Sequence, residues 1–104
     1  MSVVSSIAIA QLNPHLGTIA ANVARLLDAR RGAVEAGAAI IVTPEMYLSG
    51  YPCDDLVMRS DFMAEVASGL EMLVATTTDG GPAIIVGAPH AYGGVITNSV
   101  FVLD

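Results

Sequence analysis

Three short aliphatic runs limit most strongly what this chain can fold into. Ile7–Gln11, Ala38–Val42 and Ala83–Gly87 carry almost no polar alternation. A strand with one wet face alternates apolar and polar residues, whereas a strand covered on both faces reads as a continuous apolar run. Between the first two runs, Ile19, Val23, Leu26, Leu27 and Val34 recur at helical spacing, with Arg25, Asp28, Arg31 and Glu35 mostly off that stripe. Gly17 or Thr18 is expected to start this helix, and Gly37 is suited to a left-handed stop. Strand, helix and strand in this order read as a parallel pair joined by a right-handed crossover.

A second helix follows, with Ser60 or Asp61 as its cap and Phe62, Val66, Leu70 and Leu73 as its apolar stripe. The acids Asp61 and Glu65 suit its N-terminal dipole. The segment from Thr76 to Pro82 breaks it. Tyr92-Gly93-Gly94 then reads as a turn leading into a fourth strand, Val95–Leu103, paired as a hairpin with the third. Repeats, low-complexity segments and linkers are absent.

Two helices cover little more than one face of such a sheet. The other face would expose more apolar surface than soluble monomers normally tolerate. Hydrophobic residues make up 54% of the 104 residues and charged residues 13%, so either a compact Ala- and Val-rich core or a partner surface fits the composition. A second layer supplied by another chain, or membership in a larger fold, answers the uncovered face.

The net charge of −6 argues against a nucleic-acid or anionic-membrane partner, since both need clustered Lys or Arg. All four basic residues are arginine, and there is no lysine. Cys53 is the only cysteine, which rules out an intrachain disulfide and makes a reducing cytoplasm the expected location. Residues 1–10 lack the basic start of a secretion signal, and no apolar stretch approaches the ~20 residues of a membrane span.

Among groups that could carry chemistry, Glu45 stands out. It follows the second strand, and α/β proteins build their sites at the carboxyl ends of parallel strands. A carboxylate in a water-poor neighbourhood is suited to general-base work, although a capping or surface acid would occupy the same place. Cys53 lies eight residues on, before Asp54 and Asp55, whose charge disfavours a thiolate, so it reads as a bystander. His15 and His90 have no ligand-like spacing to each other or to Cys53, and read as turn or edge residues. Asp54, Asp55 and Asp61 could be imagined around magnesium, but Asp54 or Asp55 capping a short helix is the plainer account. Gly87, Gly93 and Gly94 form neither a phosphate loop nor a dinucleotide fingerprint.

Four segments, IAIAQLNPHLGTIAANVARL, IIVTPEMYLSGYPCDDLVMRSDF, AIIVGAPH and GGVITNSVFVLD, together resemble the nitrilase, or carbon–nitrogen hydrolase, superfamily over nearly the whole chain. The extension Gly50-Tyr51-Pro52-x-Asp54-Asp55-Leu56, then Arg59 and Phe62, is similar to the glutaminase domain of the glutamine-dependent NAD synthetases. The resemblance implies an αββα sandwich and a Glu-Lys-Cys triad, in which glutamate is the base, cysteine forms a thioester and lysine stabilises the developing charge. On this pattern Glu45 falls on the catalytic glutamate and Tyr51 on a tyrosine lining the glutamine pocket. The family's lysine and cysteine match no residue here, and Cys53 stands where the family often has a second proline.

Residues 1–104 are therefore expected to be the N-terminal portion of a nitrilase-like glutamine amidohydrolase domain. The expected architecture is α/β, an incomplete αββα sandwich with four strands and two main helices in one sheet layer. ATP and magnesium are expected only in a separate synthetase domain, with no cofactor or metal in these residues. Glutamine is the expected substrate of the complete domain, and the chain alone is expected to be inactive. Two alternatives remain open at this point: a segment of another superfamily amidase acting on a small aliphatic amide, and a short non-catalytic interaction module. The uncovered face predicts that the chain binds the remainder of its domain, forms a homo-oligomer or aggregates. A monodisperse monomer that leaves the dye ANS dark would contradict that expectation.

Overall fold

In the computed structural model, which describes residues 6–16 and 18–104, four strands form one mixed sheet in chain order. β1 (Ile7–Ile9) pairs parallel with β2 (Ile40–Val42), and β2 pairs parallel with β3 (Ala83–Tyr92). β4 (Val95–Leu103) closes the order antiparallel to β3, from Ile84 opposite Leu103 to Tyr92 opposite Val95. The crossovers are α1 (Ile19–Glu35) and α2 (Ser60–Thr76). This is one sheet layer with its two helices, the α/β arrangement expected from the sequence.

Local chemistry sets the helix ends. α1 stops where Gly37 takes φ +75°. The Ala38 N–H then donates to the Ala33 carbonyl at 2.9 Å and the Gly37 N–H to Val34 at 3.0 Å, which satisfies two of the helix's orphan acceptors. Thr18 occupies the N-cap position of α1 but makes no side-chain cap bond, and Gly17 lies outside the described residues. At α2 the N-cap is Arg59, one residue before the expected Ser60; Asp61 in the first turn pairs with Arg59 at 2.9 Å. A 3-10 turn spans Asp54–Met58, with Cys53 as its N-cap and no side-chain cap bond, so an aspartate is not its cap.

Register sorts the sheet into two faces. Ala8, Ile41, Ile84 and Leu103 share one row, and Val86 and Ala88 continue that face along β3. These residues join Ile19, Val23, Leu26 and Ala33 of α1 and Phe62, Val66 and Leu73 of α2 in a single core. The helices meet closely because position 69 is glycine; a Cβ there would lie 2.9 Å from the Ile19 side chain.

Among the described residues, nothing covers the opposite face. Its central row is Ile9, Val42, Ile85 and Val102, in register across all four strands. Ile9 is 72% exposed and Val102 69%, so the face that sequence patterning marks as unprovided for is open to solvent.

One charged pair ties the crossovers together. Arg30 on α1 is 3% exposed, and its guanidinium donates to both carboxylate oxygens of Asp79, at 2.8 and 2.9 Å, and to the Pro82 carbonyl at 2.9 Å. Asp79 also accepts from the Gly81 N–H at 2.7 Å. The Arg30 hydrogen bonds, and then that of Gly81, hold the Asp79 carboxyl well below the usual carboxylate range. A depressed folded-state pKa contributes stability at pH values above the ordinary aspartate range, and that contribution is lost as acid protonates the carboxylate. Melting temperature is therefore expected to fall with pH below about 4. In Asp79→Asn the melting temperature near neutral pH should be lower, and this acid-dependent part of the fall should be missing. A wild-type and variant pair with parallel pH profiles would remove the pair from the stability account.

Candidate active site

The carboxyl ends of β1 and β2 deliver two loops to one place. After β2, residues 45–49 form consecutive turns, and Met46 has φ +51°, a left-handed value uncommon outside glycine. The turn rests directly on β3. A Cβ at Gly87 would lie 2.6 Å from the Met46 nitrogen and 2.9 Å from the Pro44 oxygen, so only glycine lets these backbones approach. The Gly87 N–H donates to Thr43 Oγ1 at 3.2 Å, and its carbonyl accepts from the Leu48 N–H at 3.0 Å. One residue thus grips the turn before and after Glu45.

A second anchor comes from α1. Asn22 is fully buried, and its Nδ2 donates to the His15 carbonyl at 2.8 Å and to the Leu48 carbonyl at 3.1 Å. Its Oδ1 accepts the His15 N–H at 2.7 Å, while its main-chain carbonyl accepts the Tyr47 hydroxyl at 2.7 Å. Burial pushes the Tyr47 phenol up, which keeps it a donor to that carbonyl. Gly50, at φ +82°, completes the junction, since a Cβ there would lie 2.6 Å from Leu16 Cα.

Glu45 emerges from this rigid base exposed, and it lines two clefts. The first, about 530 Å³, is bordered by Gln11, Asn13, Pro14, Pro44 and Tyr51. The second, about 300 Å³, opens onto the bare sheet face between Val42, Ile85, Gly87, Asn98 and Val100. Tyr51, 67% exposed, shares the first cleft with Glu45, so the two residues singled out in the sequence stand at one site. Cys53 is buried and borders neither cleft. His15 is exposed, and His90 packs edge-on to Phe101 at 5.5 Å near the hairpin end. Among the described residues no three His, Cys, Asp or Glu side chains converge as a metal site requires, and no helix is long and apolar enough to cross a membrane.

Three residues of the site escaped sequence reasoning. Asn22 lay within a helical stripe read for its apolar members, and only its packing shows that it clamps two loops. Gly87 read as a strand end, although its flanking apolar residues signal a close backbone approach. Asn98 is polar within an otherwise apolar strand face, a signal visible in the sequence but uninterpretable without register.

Comparison with known proteins bears on the family and the fold. The carbon-nitrogen hydrolase family matches residues 6–104. A glutamine-dependent NAD(+) synthetase of Rhodobacter capsulatus is 38% identical over 84 residues, covering 81% of this chain and 15% of the relative. One from Xylella fastidiosa is 36% identical over 104 residues, covering 99% and 19%. The chain thus spans less than a fifth of these relatives. Among solved structures, a glutamine-dependent NAD(+) synthetase from Cytophaga hutchinsonii superposes with a TM-score of 0.85 at 26% identity, over 94% of this chain and 17% of that one. An amidase from Nesterenkonia reaches 0.77 at 26% identity, over 96% and 42%.

The clamp makes a direct prediction. Asn22→Asp keeps the size but places a second acceptor where the amide donates to His15 and Leu48. It should destabilise the chain by about 1–3 kcal/mol for each buried carbonyl left unpaired. Denaturant unfolding that shifts by less than ~0.5 kcal/mol would show that the clamp is not needed.

Proposed function

Because the chain belongs to the carbon-nitrogen hydrolase family, we propose that residues 1–104 form the N-terminal layer of a glutamine amidohydrolase domain, which supplies ammonia for ATP-dependent NAD synthesis from nicotinic acid adenine dinucleotide. The observation that carries this reading is Glu45 held rigidly at a strand end, on the border between the Tyr51 cleft and an open apolar face. The names of the similar synthetases supply the substrate class.

In this reading Glu45 is the base. It takes the proton of a cysteine thiol, and the sulfur attacks the carboxamide carbon of glutamine, with a lysine ammonium balancing the oxyanion. The carbon–nitrogen bond breaks, the proton held by Glu45 leaves with ammonia, and a thioester remains. Glu45 then accepts a proton from the attacking water as glutamate is released. Tyr51 forms a wall of the glutamine pocket. The lysine and the nucleophilic cysteine come from residues outside these 104, and so does the layer that covers the bare face. An exposed Glu45 has water around it here, so the water-poor setting that a base of this kind needs would arrive with that layer.

ATP and magnesium belong to the synthetase step. No step assigned to this chain runs through them. The likeness to the Nesterenkonia amidase keeps a small-amide hydrolase as the second reading, with the same role for Glu45.

Two measurements test the proposal together. The 104-residue chain alone should hydrolyse no glutamine above background; turnover abolished by Cys53→Ala would overturn the assignment of roles. In a protein carrying this segment within a complete domain, Glu45→Gln should reduce glutamine-dependent synthesis at least 10²-fold while ammonia-dependent synthesis survives. Loss of both activities would make Glu45 structural, and hydrolysis of short aliphatic amides in preference to glutamine would favour the second reading.

A further inference from the structure

Where β2 ends, the sheet changes the kind of oxygen it uses. The Thr43 N–H still follows the parallel ladder, donating to the Ile85 carbonyl at 3.0 Å. In a regular parallel ladder the next bond would run back from the Gly87 N–H to the Thr43 main-chain carbonyl. It runs instead to the Thr43 hydroxyl, at 3.2 Å. Gly87 is buried, so its N–H needs an acceptor, and a side-chain oxygen supplies one without keeping residue 43 in the strand. The chain is then free to leave the sheet at Pro44, which has no N–H with which to extend the ladder.

The same hydroxyl donates to the Pro44 carbonyl at 3.2 Å, which belongs to the peptide group joining Pro44 to Glu45. One oxygen thus links β3 to the main chain of the acid. The excursion ends on the residue where it began, because the Leu48 N–H donates to the Gly87 carbonyl at 3.0 Å. Of these two moorings, the one before Glu45 depends on a side chain. Valine at 43 would have the same branched shape and suit a strand end equally well, so threonine adds only the oxygen.

We propose that Thr43 is a positioning residue for Glu45. Its hydroxyl, bonded to Gly87 and to the Pro44–Glu45 peptide, sets the direction in which the carboxylate leaves the sheet. It acts through the main chain of Glu45 and need not touch substrate. The Tyr51 cleft is held by other contacts, those of Asn22 to His15 and Leu48, so loss of the hydroxyl displaces the acid more than the pocket walls. The inference rests on Glu45 being the base proposed above.

Two variants in a protein carrying this segment within a complete domain test it. Thr43→Val keeps the branched shape and removes the oxygen, whereas Thr43→Ser keeps the oxygen and removes the methyl group. Thr43→Val is expected to lower kcat for glutamine hydrolysis ~10-fold with KM changed less than about twofold, because a misplaced catalytic group loses rate rather than binding. Amide hydrogen exchange at Gly87 should be faster in that variant, while ammonia-dependent synthesis is unchanged. Thr43→Ser should keep both kcat and the exchange rate within about threefold of the wild type. Wild-type kcat in Thr43→Val, or an equal loss in both variants, would overturn the proposal. So would a parallel loss of ammonia-dependent synthesis, the mark of a merely structural hydroxyl. If Glu45→Gln abolishes glutamine hydrolysis and Thr43→Val does not, only this inference falls; hydrolysis that survives Glu45→Gln removes the base reading and this inference with it.

Discussion

The Asn22 carboxamide, sealed between α1 and the two loops that follow β1 and β2, is the contact on which the site depends. Its oxygen takes one N–H, its nitrogen serves two carbonyls, and its own main-chain oxygen holds Tyr47. Such groups are costly to bury unless every partner is in place. The satisfied state is therefore narrow: if either loop shifts by an ångström, several bonds fail together. Gly87 supplies the same narrowness from the sheet side, because its backbone sits against the turn with no room for a methyl group. Between these two grips the Glu45 turn adopts the left-handed Met46 conformation that it would not keep alone.

The bare face and the acid are parts of one arrangement. Val42 and Ile85 belong to the exposed row and also line a Glu45 cleft. Whatever layer covers the row removes Ile9, Ile85 and Val102 from water, each Å² worth about 25 cal/mol, and at the same time encloses the carboxylate. If Glu45 is the base proposed above, folding of the complete domain and activation of that base would share one driving force. Arg30 and Asp79 lie apart from this, bracing the helix side of the sheet.

Much of this was legible in the residues. The β1–β2 and β3–β4 pairings, both helices and the open face followed from apolar runs without alternation and from helical spacing, and the turn at Gly93-Gly94 lies where glycine predicted it. The limits were set by tertiary effects. β3 continues through Pro89 and His90 to Tyr92, because hairpin pairing with β4 carries it past the end of its own apolar run. Val34 has the spacing of a core residue but is 51% exposed, since the buried stripe of α1 runs through Val23, Leu26, Arg30 and Ala33 instead. Arg30 is buried only because an acid 49 positions away meets it. Glu45 and Tyr51 were singled out through a short motif, whereas the clamp made by Asn22 shows only in what it faces.

β4 presents a second kind of incompleteness, along its edge as well as on its face. Among the described residues its outer backbone groups have no neighbouring strand, and the strand Val-Ile-Thr-Asn-Ser-Val-Phe-Val-Leu contains no charge, proline or glycine. These are the traits of segments that stack into cross-β fibrils, and natural sheets usually blunt such an edge with lysine, proline or a bulge. Here nothing blunts it, so an unoccupied β4 carries an amyloid hazard that disappears once a legitimate strand pairs with it. For such a strand, resistance to misassembly would depend on how fast and how surely a pairing strand arrives.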